Sequence, residues 1–114
     1  MNAPDRIRLQ HMLEMAGQTE YMGSGRTRAD LDTDPILQLA LARAIEIIGE
    51  AASKVSHEYQ ETAPQIPWAQ IIGMRNRLIH AYFDINLNVL WTTITDNIPS
   101  LVTELEKLLS PEQT

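Results

Sequence analysis

The chain has 114 residues, 44% of them hydrophobic, and a net charge of −6. This is one small domain's worth of sequence, too apolar for disorder and too acidic to bind nucleic acid through its whole surface. It has no cysteine, which excludes disulfide frameworks, thiolate chemistry and Cys-based zinc sites. The absence of a membrane-length apolar run or a signal-like opening leads us to expect a cytoplasmic, soluble domain spanning residues 1–114.

In chain order, residues Asp5 to Met22 read as a helix, with Asp5 as N-cap and Leu9, Met12, Leu13 and Ala16 on its apolar side. Gly23-Ser24-Gly25 ends it. Arg26 to Asp34 reads as a solvated loop with at most one helical turn. Its alternating Asp30, Asp32 and Asp34 resemble a calcium loop, but no glycine stands at the sixth position and Pro35 interrupts, so a calcium site is rejected.

Asp34-Pro35 is a strong helix start. The predicted helix runs to about Tyr59 on a stripe that includes Leu37, Leu41, Ile45, Ile48, Ala52 and Val55. Gly49, Ala51 and Ala52 permit a close crossing. Glu46 and Glu50 lie one turn apart on this core-forming helix. Gln60 to Gln65 reads as a connector, and Pro67-Trp68 opens the next helix, with Trp68 as a core or interface anchor.

That next helix carries Met74-Arg75-Asn76-Arg77-Leu78-Ile79-His80-Ala81-Tyr82-Phe83. At 100° per residue, Ile71, Met74, Leu78, Ile79 and Tyr82 share an apolar sector, with Gly73, Asn76, Arg77 and His80 opposite. Arg75 falls inside the apolar sector, where a guanidinium needs a carboxylate, a phosphate or a wet cleft. Glu46 and Glu50 are the candidate carboxylates. Arg75 and His80 stand about 140° apart on an ideal helix, so they converge only if the helix ends near His80, the Arg side chain curls round, or a second copy packs alongside. Gly73 leaves room for such a copy.

Asp84-Ile85-Asn86 breaks the pattern and caps a further helix with Val89, Leu90, Ile94 and Ile98 on one face. Pro99 predicts a kink or short break. Leu101, Val102, Leu105, Leu108 and Leu109 complete the core stripe, and Ser110 to Thr114 should fray. The expected fold is all-α, an up-and-down bundle of four to five helices.

No phosphate loop, metal-ligand cluster or Ser-His-Asp set is present, so neither a metal nor another cofactor is expected. The Arg, Asn, Arg and His of the central stretch suit metal-free RNA cleavage. A histidine titrating near neutrality can exchange protons with the 2′-hydroxyl or the leaving oxygen. Arginine can stabilise the charge that builds on phosphorus.

Arg75, four residues, His80, one residue, Tyr82 resembles the signature of the HepT-like HEPN ribonuclease toxins. The text from Arg43 to Ala52, Ile66-Pro67-Trp68, Arg75-Asn76, Leu90-Trp91 and Ile98-Pro99 resembles that family too. The resemblance implies a HEPN-like homodimer that cleaves RNA without metal at the dimer interface, as the toxin of a toxin–antitoxin pair. It implies Arg75 and His80 as the catalytic pair, with Asn76 and Arg77 supporting RNA binding. It implies a minimal nucleotidyltransferase antitoxin as partner and Tyr82 as the tyrosine that this partner adenylylates. The alternative is a non-catalytic helical dimer that binds the nucleotidyltransferase, or RNA without cleavage. In the alternative, Arg75 is fully paired with Glu46 or Glu50 and closed to solvent. In the ribonuclease, it is accessible.

Overall fold

The computed structural model describes residues 1–79 and 84–110. Within them the chain forms seven α-helices and one π-helical turn: α1 (Ala3–Gly23), α2 (Arg28–Thr33), α3 (Pro35–Ser53), α4 (His57–Thr62), α5 (Trp68–Leu78), α6 (Leu87–Thr92), the π-turn (Thr93–Asn97) and α7 (Ile98–Leu109). The fold is all-α. Four long helices, α1, α3, α5 and α7, make the bundle, and three six-residue helices fill connections that the sequence pattern read as loop or as continuations of longer helices. None is long and apolar enough to cross a membrane.

Helix α3 is central, packing on α1 at one side and α5 at the other, while α7 packs on α1 and closes the bundle around a shared core. Neighbours run in opposite directions. The start of α1 meets the end of α3 through Asp5 and Ser56, and Gly49 and Glu46 of α3 meet Ile71 and Arg75 of α5 in reversed order. Two apolar clusters result. One joins Leu9, Met12 and Ala16 of α1 to Ile48 and Ala52 of α3, Trp68, and Leu101 and Leu105 of α7. The other, around Leu41, Ile45, Met74, Leu78 and Leu90, lies beneath the last turn of α5.

Helix α1 starts earlier than Asp5, because Asn2 is the N-cap and its side chain accepts from the Asp5 N–H at 2.8 Å. Asp5 has a different task. It is 4% exposed, and its carboxylate accepts from the Ser56 N–H at 2.8 Å and the Ser56 hydroxyl at 2.6 Å. These bonds also account for the early end of α3. The Ser56 N–H, which would otherwise donate to Ala52 in a continuing helix, is taken by Asp5, and Ser56 caps α4 instead. Gln60 reaches back from α4 to the Val55 carbonyl at 3.0 Å. Burial, then the nearby Asp5 charge, raises the pKa of the Tyr59 hydroxyl.

The aspartates of the expected loop are all engaged. Asp30 closes a capping box with Thr27, Asp32 pairs with Arg28 at 2.6 Å, and Asp34 caps α3 and pairs with Arg26 at 3.5 Å. Arg26 and Arg28 are therefore ion-paired rather than merely solvated, and Arg28 also donates to Asn88 at 2.8 Å, tying α2 to α6. At the other end of the bundle, Pro99 lies inside the first turn of α7. The disturbance it causes sits one turn earlier. Pro99 has no N–H to return to Thr95, and the chain widens into the π-turn, with the Ile98 N–H donating to Thr93. Ser110 caps α7; the expected fraying of residues 111–114 lies outside the described residues.

The Asp5–Ser56 bonds close the bundle at one end. Removing the carboxylate leaves a partly buried N–H and hydroxyl without their acceptor, a cost of about 1–3 kcal/mol for a group left unsatisfied. Asp5→Ala should therefore lower unfolding free energy by about 2 kcal/mol in urea titration. Asp30→Ala, which removes only an exposed cap, should cost about 1 kcal/mol.

Candidate active site

The last turn of α5 presents Arg75, Asn76 and Arg77 at the surface, all three exposed. Trp68 fixes the beginning of this helix. It is 8% exposed, and its indole N–H donates to the Ala63 carbonyl at 3.0 Å. Met74 and Leu78 fix its end by burial in the second apolar cluster. Two cations in the final turn complement the negative end of the helix dipole.

The close approach of α3 and α5 sets where Arg75 can reach. A Cβ on Gly49 would sit 3.0 Å from the Ile71 carbonyl oxygen, so a side chain there would push α5 away. One turn along, Arg75 Nε donates to Glu46 Oε2 at 2.8 Å. The other carboxylate oxygen, Oε1, accepts from Arg43 Nη1 at 2.5 Å, and the same Nη1 lies 3.5 Å from Glu50 Oε1. The hydrogen bond from Arg75, then that from Arg43, hold the Glu46 carboxyl below its ordinary pKa against the opposing effect of burial. Ile45, Glu46, Gly49, Glu50, Ile72 and Arg75 line a shallow depression of about 150 Å³.

Arg75 is thus not buried in an apolar sector. Its side chain is 60% exposed, while that of Glu46 is 19% exposed. The long side chain runs along the α3 edge of the buried stripe and keeps its head in water. Among the described residues, no partner takes its two terminal nitrogens. Of the two carboxylates expected as partners, Glu46 is the one that binds Arg75, and Glu50 turns to Arg43. The Asn76 side chain has no hydrogen bond to another described residue, and Arg77 Nη2 contacts the Met74 sulfur at 3.5 Å.

Helix α5 ends at Leu78, before the point where the wheel placed Ile79 and Tyr82 on its apolar side. Ile79 is extended, with φ −114° and ψ 115°, and pairs with Ile85 in an isolated antiparallel bridge. The Asn86 N–H donates to the Leu78 carbonyl at 2.7 Å, and the Asn86 side chain caps α6. Leu78 and Ile79 are therefore held to Ile85 and Asn86 at the last turn of α5. His80 and Tyr82 themselves lie outside the described residues. Among the described residues, no group of three His, Cys, Asp or Glu could hold a metal ion.

Arg43 is the residue of this surface that motif reading passed over. The signal was present, since Arg43, Glu46 and Glu50 stand three and four residues apart on one helical face.

Because the folded pKa of Glu46 is depressed, the stability its charge contributes is present above the unfolded carboxylate value and is lost as pH falls through the folded one. The wild type should therefore be more stable than Glu46→Gln at pH 7, by about 1 kcal/mol or less for so exposed a cluster. The gap should close as pH falls below about 4.5. Paired thermal melts at pH 7 and in the acid range measure it.

The comparisons with known proteins agree with this architecture. Residues 12–108 match the family model described as "Ribonuclease HepT-like". "Putative RNase TTE0752" of Caldanaerobacter subterraneus is 36% identical over 105 residues, covering 92% of this chain and 94% of that protein. "Probable ribonuclease HepT" of Thermococcus cleftensis is 44% identical over 79 residues, covering 69% of this chain and 72% of that protein. No solved structure gives a significant match. The chain belongs to the HepT-like ribonuclease family and is an RNA endonuclease.

Proposed function

We propose that this ribonuclease is a cytoplasmic toxin that cleaves RNA without a metal ion, using Arg75 and His80 in a cleft shared by two copies of the chain. The observation that carries the reading is the half-engaged state of Arg75. Glu46 grips its Nε edge, which fixes the plane of the guanidinium, and the terminal nitrogens remain open to solvent. That is how an arginine is oriented to meet a phosphate through a forked contact. A non-catalytic scaffold would have Arg75 enclosed, and its exposure argues against that role.

The end of α5 at Leu78 supports the pairing with His80. The 140° separation of an ideal helix no longer applies once Ile79 has left the helix. In the proposed chemistry, one His80 takes the proton of the 2′-hydroxyl as that oxygen attacks phosphorus. The 5′-oxygen leaves with a proton from the second His80 of the dimer or from water, and a 2′,3′-cyclic phosphate remains. Arg75 stabilises the charge on the non-bridging oxygens. Asn76 and Arg77, exposed beside it, hold the flanking RNA.

The second copy is supported by the surface next to the site. Ile36 is 81% exposed and Leu39 57% exposed on α3, and Ile72 is 39% exposed on α5. Ile36 and Leu39 form an exposed apolar patch at the start of a face of α3 that continues into Arg43, Glu46 and Glu50 at alternating three- and four-residue spacing, so a surface suited to a second copy borders the charged cluster. An isologous contact at this apolar patch, with the charged part of the face left open to the cleft, would bring both copies of Arg75 to one place.

Purified protein incubated with total RNA and a chelator should release fragments ending in 2′,3′-cyclic phosphate. His80→Ala should lower the rate at least 10²-fold, and Arg75→Lys should recover only part of what Arg75→Ala loses. Activity that survives His80→Ala, or that the chelator abolishes, would sink the mechanism. Light scattering should report a dimer at micromolar concentration.

The proposed partner is a minimal nucleotidyltransferase antitoxin that attaches AMP to Tyr82. Its negative charge would compete with RNA for Arg75. Co-expression should add AMP mass to the peptide that contains Tyr82, and Tyr82→Phe should stay unmodified and active. Tyr21, at 80% exposure, is the internal control: a label there instead would defeat the assignment.

A further inference from the structure

We propose that Arg43 is a second contact for the RNA backbone, and that Glu46 is the positioning residue that holds Arg43 and Arg75 side by side. This rests on the ribonuclease reading of the same surface and extends it onto α3.

Three observations carry it. First, the two oxygens of one carboxylate each bind one arginine, Oε1 taking Arg43 and Oε2 taking Arg75. The two guanidiniums, although on different helices, are thereby fixed within the span of a single carboxylate. Second, the acid is the enclosed member. Glu46 is 19% exposed, whereas both arginine side chains are 60% exposed. The trio turns its cations outward and carries one net positive charge. Third, Arg43 is only partly used. Nη1 serves both carboxylates, and among the described residues no partner takes Nε or Nη2.

The chemistry that matches two outward guanidiniums at this spacing is a run of phosphodiesters. Each offers non-bridging oxygens to a fork, and successive phosphates are joined by a flexible sugar. Glu50 fits the same scheme as the anion that RNA displaces. Its contact with Arg43 is long, at 3.5 Å, and its side chain is 59% exposed and free to swing away. A competing carboxylate keeps an exposed arginine of an acidic protein from binding every passing anion.

The test uses a labelled single-stranded oligoribonucleotide with every 2′-hydroxyl methylated. It presents the RNA backbone but cannot be cleaved through the 2′-oxygen. Affinity is measured across a salt series by fluorescence anisotropy for wild type, Arg43→Gln, Arg43→Lys and Glu50→Gln. Arg43→Gln removes the charge and shortens an exposed side chain while keeping an amide donor, so the folding of α3 is preserved, and circular dichroism checks this. Each lost phosphate contact on a single strand lowers the slope of log K against log salt by about 0.7. Arg43→Gln should show that loss with weaker binding, and Arg43→Lys should keep the slope. Glu50→Gln should keep the slope and bind several-fold tighter. An unchanged slope in folded Arg43→Gln, or weaker binding by Glu50→Gln, overturns the proposal and leaves Arg75 as it was. Wild-type binding with no salt dependence overturns the phosphate reading of the whole surface, Arg75 included.

Discussion

The approach of α5 to α3 at Gly49 is the constraint on which the site depends. At this crossing the absence of a side chain lets the Ile71 carbonyl come close to the α3 backbone. Every other feature of the surface follows from that distance. Glu46, one turn before Gly49, comes within hydrogen-bond reach of Arg75, one turn beyond Ile71. A carboxylate placed there would be poorly solvated alone, and two guanidiniums make its charge favourable. The pair is a weak staple by itself, because Arg75 is largely in water. Its value is directional: it decides which edge of the guanidinium is occupied and which is left open.

The acidic balance of the chain looks unfavourable for a ribonuclease, and the structure shows how the charges are partitioned. Asp30 and Asp34 are engaged as helix caps, Asp32 pairs with Arg28, and Asp5 is buried against Ser56. None of these four stands at the last turn of α5; the carboxylates that do lie near it, Glu46 and Glu50, are paired with Arg75 and Arg43, and Arg75 and Arg77 are exposed beside Asn76. Overall charge therefore governs loose attraction at long range, while the local arrangement governs what is held at contact distance.

Much of the bundle was legible in the sequence, because long apolar stripes and proline or glycine punctuation report directly on helices. Asp34-Pro35 opens α3, Asn86 opens α6, and Gly49 marks a close crossing. What was illegible depends on residues far apart in the chain. Nothing near Ser56 says that α3 must stop there, since the group that takes its N–H is Asp5, fifty-one positions away. Within the candidate site the same division holds. Local spacing identified Arg75 and its two possible carboxylates, but the choice between Glu46 and Glu50 is made by the crossing of two helices. Ile79 packs against the second apolar cluster, as the wheel expected, but from an extended backbone and not a helical one, because the bridge to Ile85 draws the chain out of the helix. Tertiary pairing overrode periodicity at the point where the motif begins to leave the helix.

The π-turn between α6 and α7 has a consequence for how this chain tolerates changes in length. A π-turn holds one residue more than the α-turn it replaces. Here the surplus lies outward, since Thr95, Asp96 and Asn97 are exposed while Thr93, Ile94 and Ile98 are buried. The inward faces on either side are already in register with the core. A chain one residue shorter at this place, and with Pro99 replaced by a residue that has an N–H, could therefore run α6 into α7 as one unbroken helix with the same buried side chains. The turn has the form of an insertion absorbed without repacking, and an alignment gap there would mark a change in the helix's winding and not a change of fold.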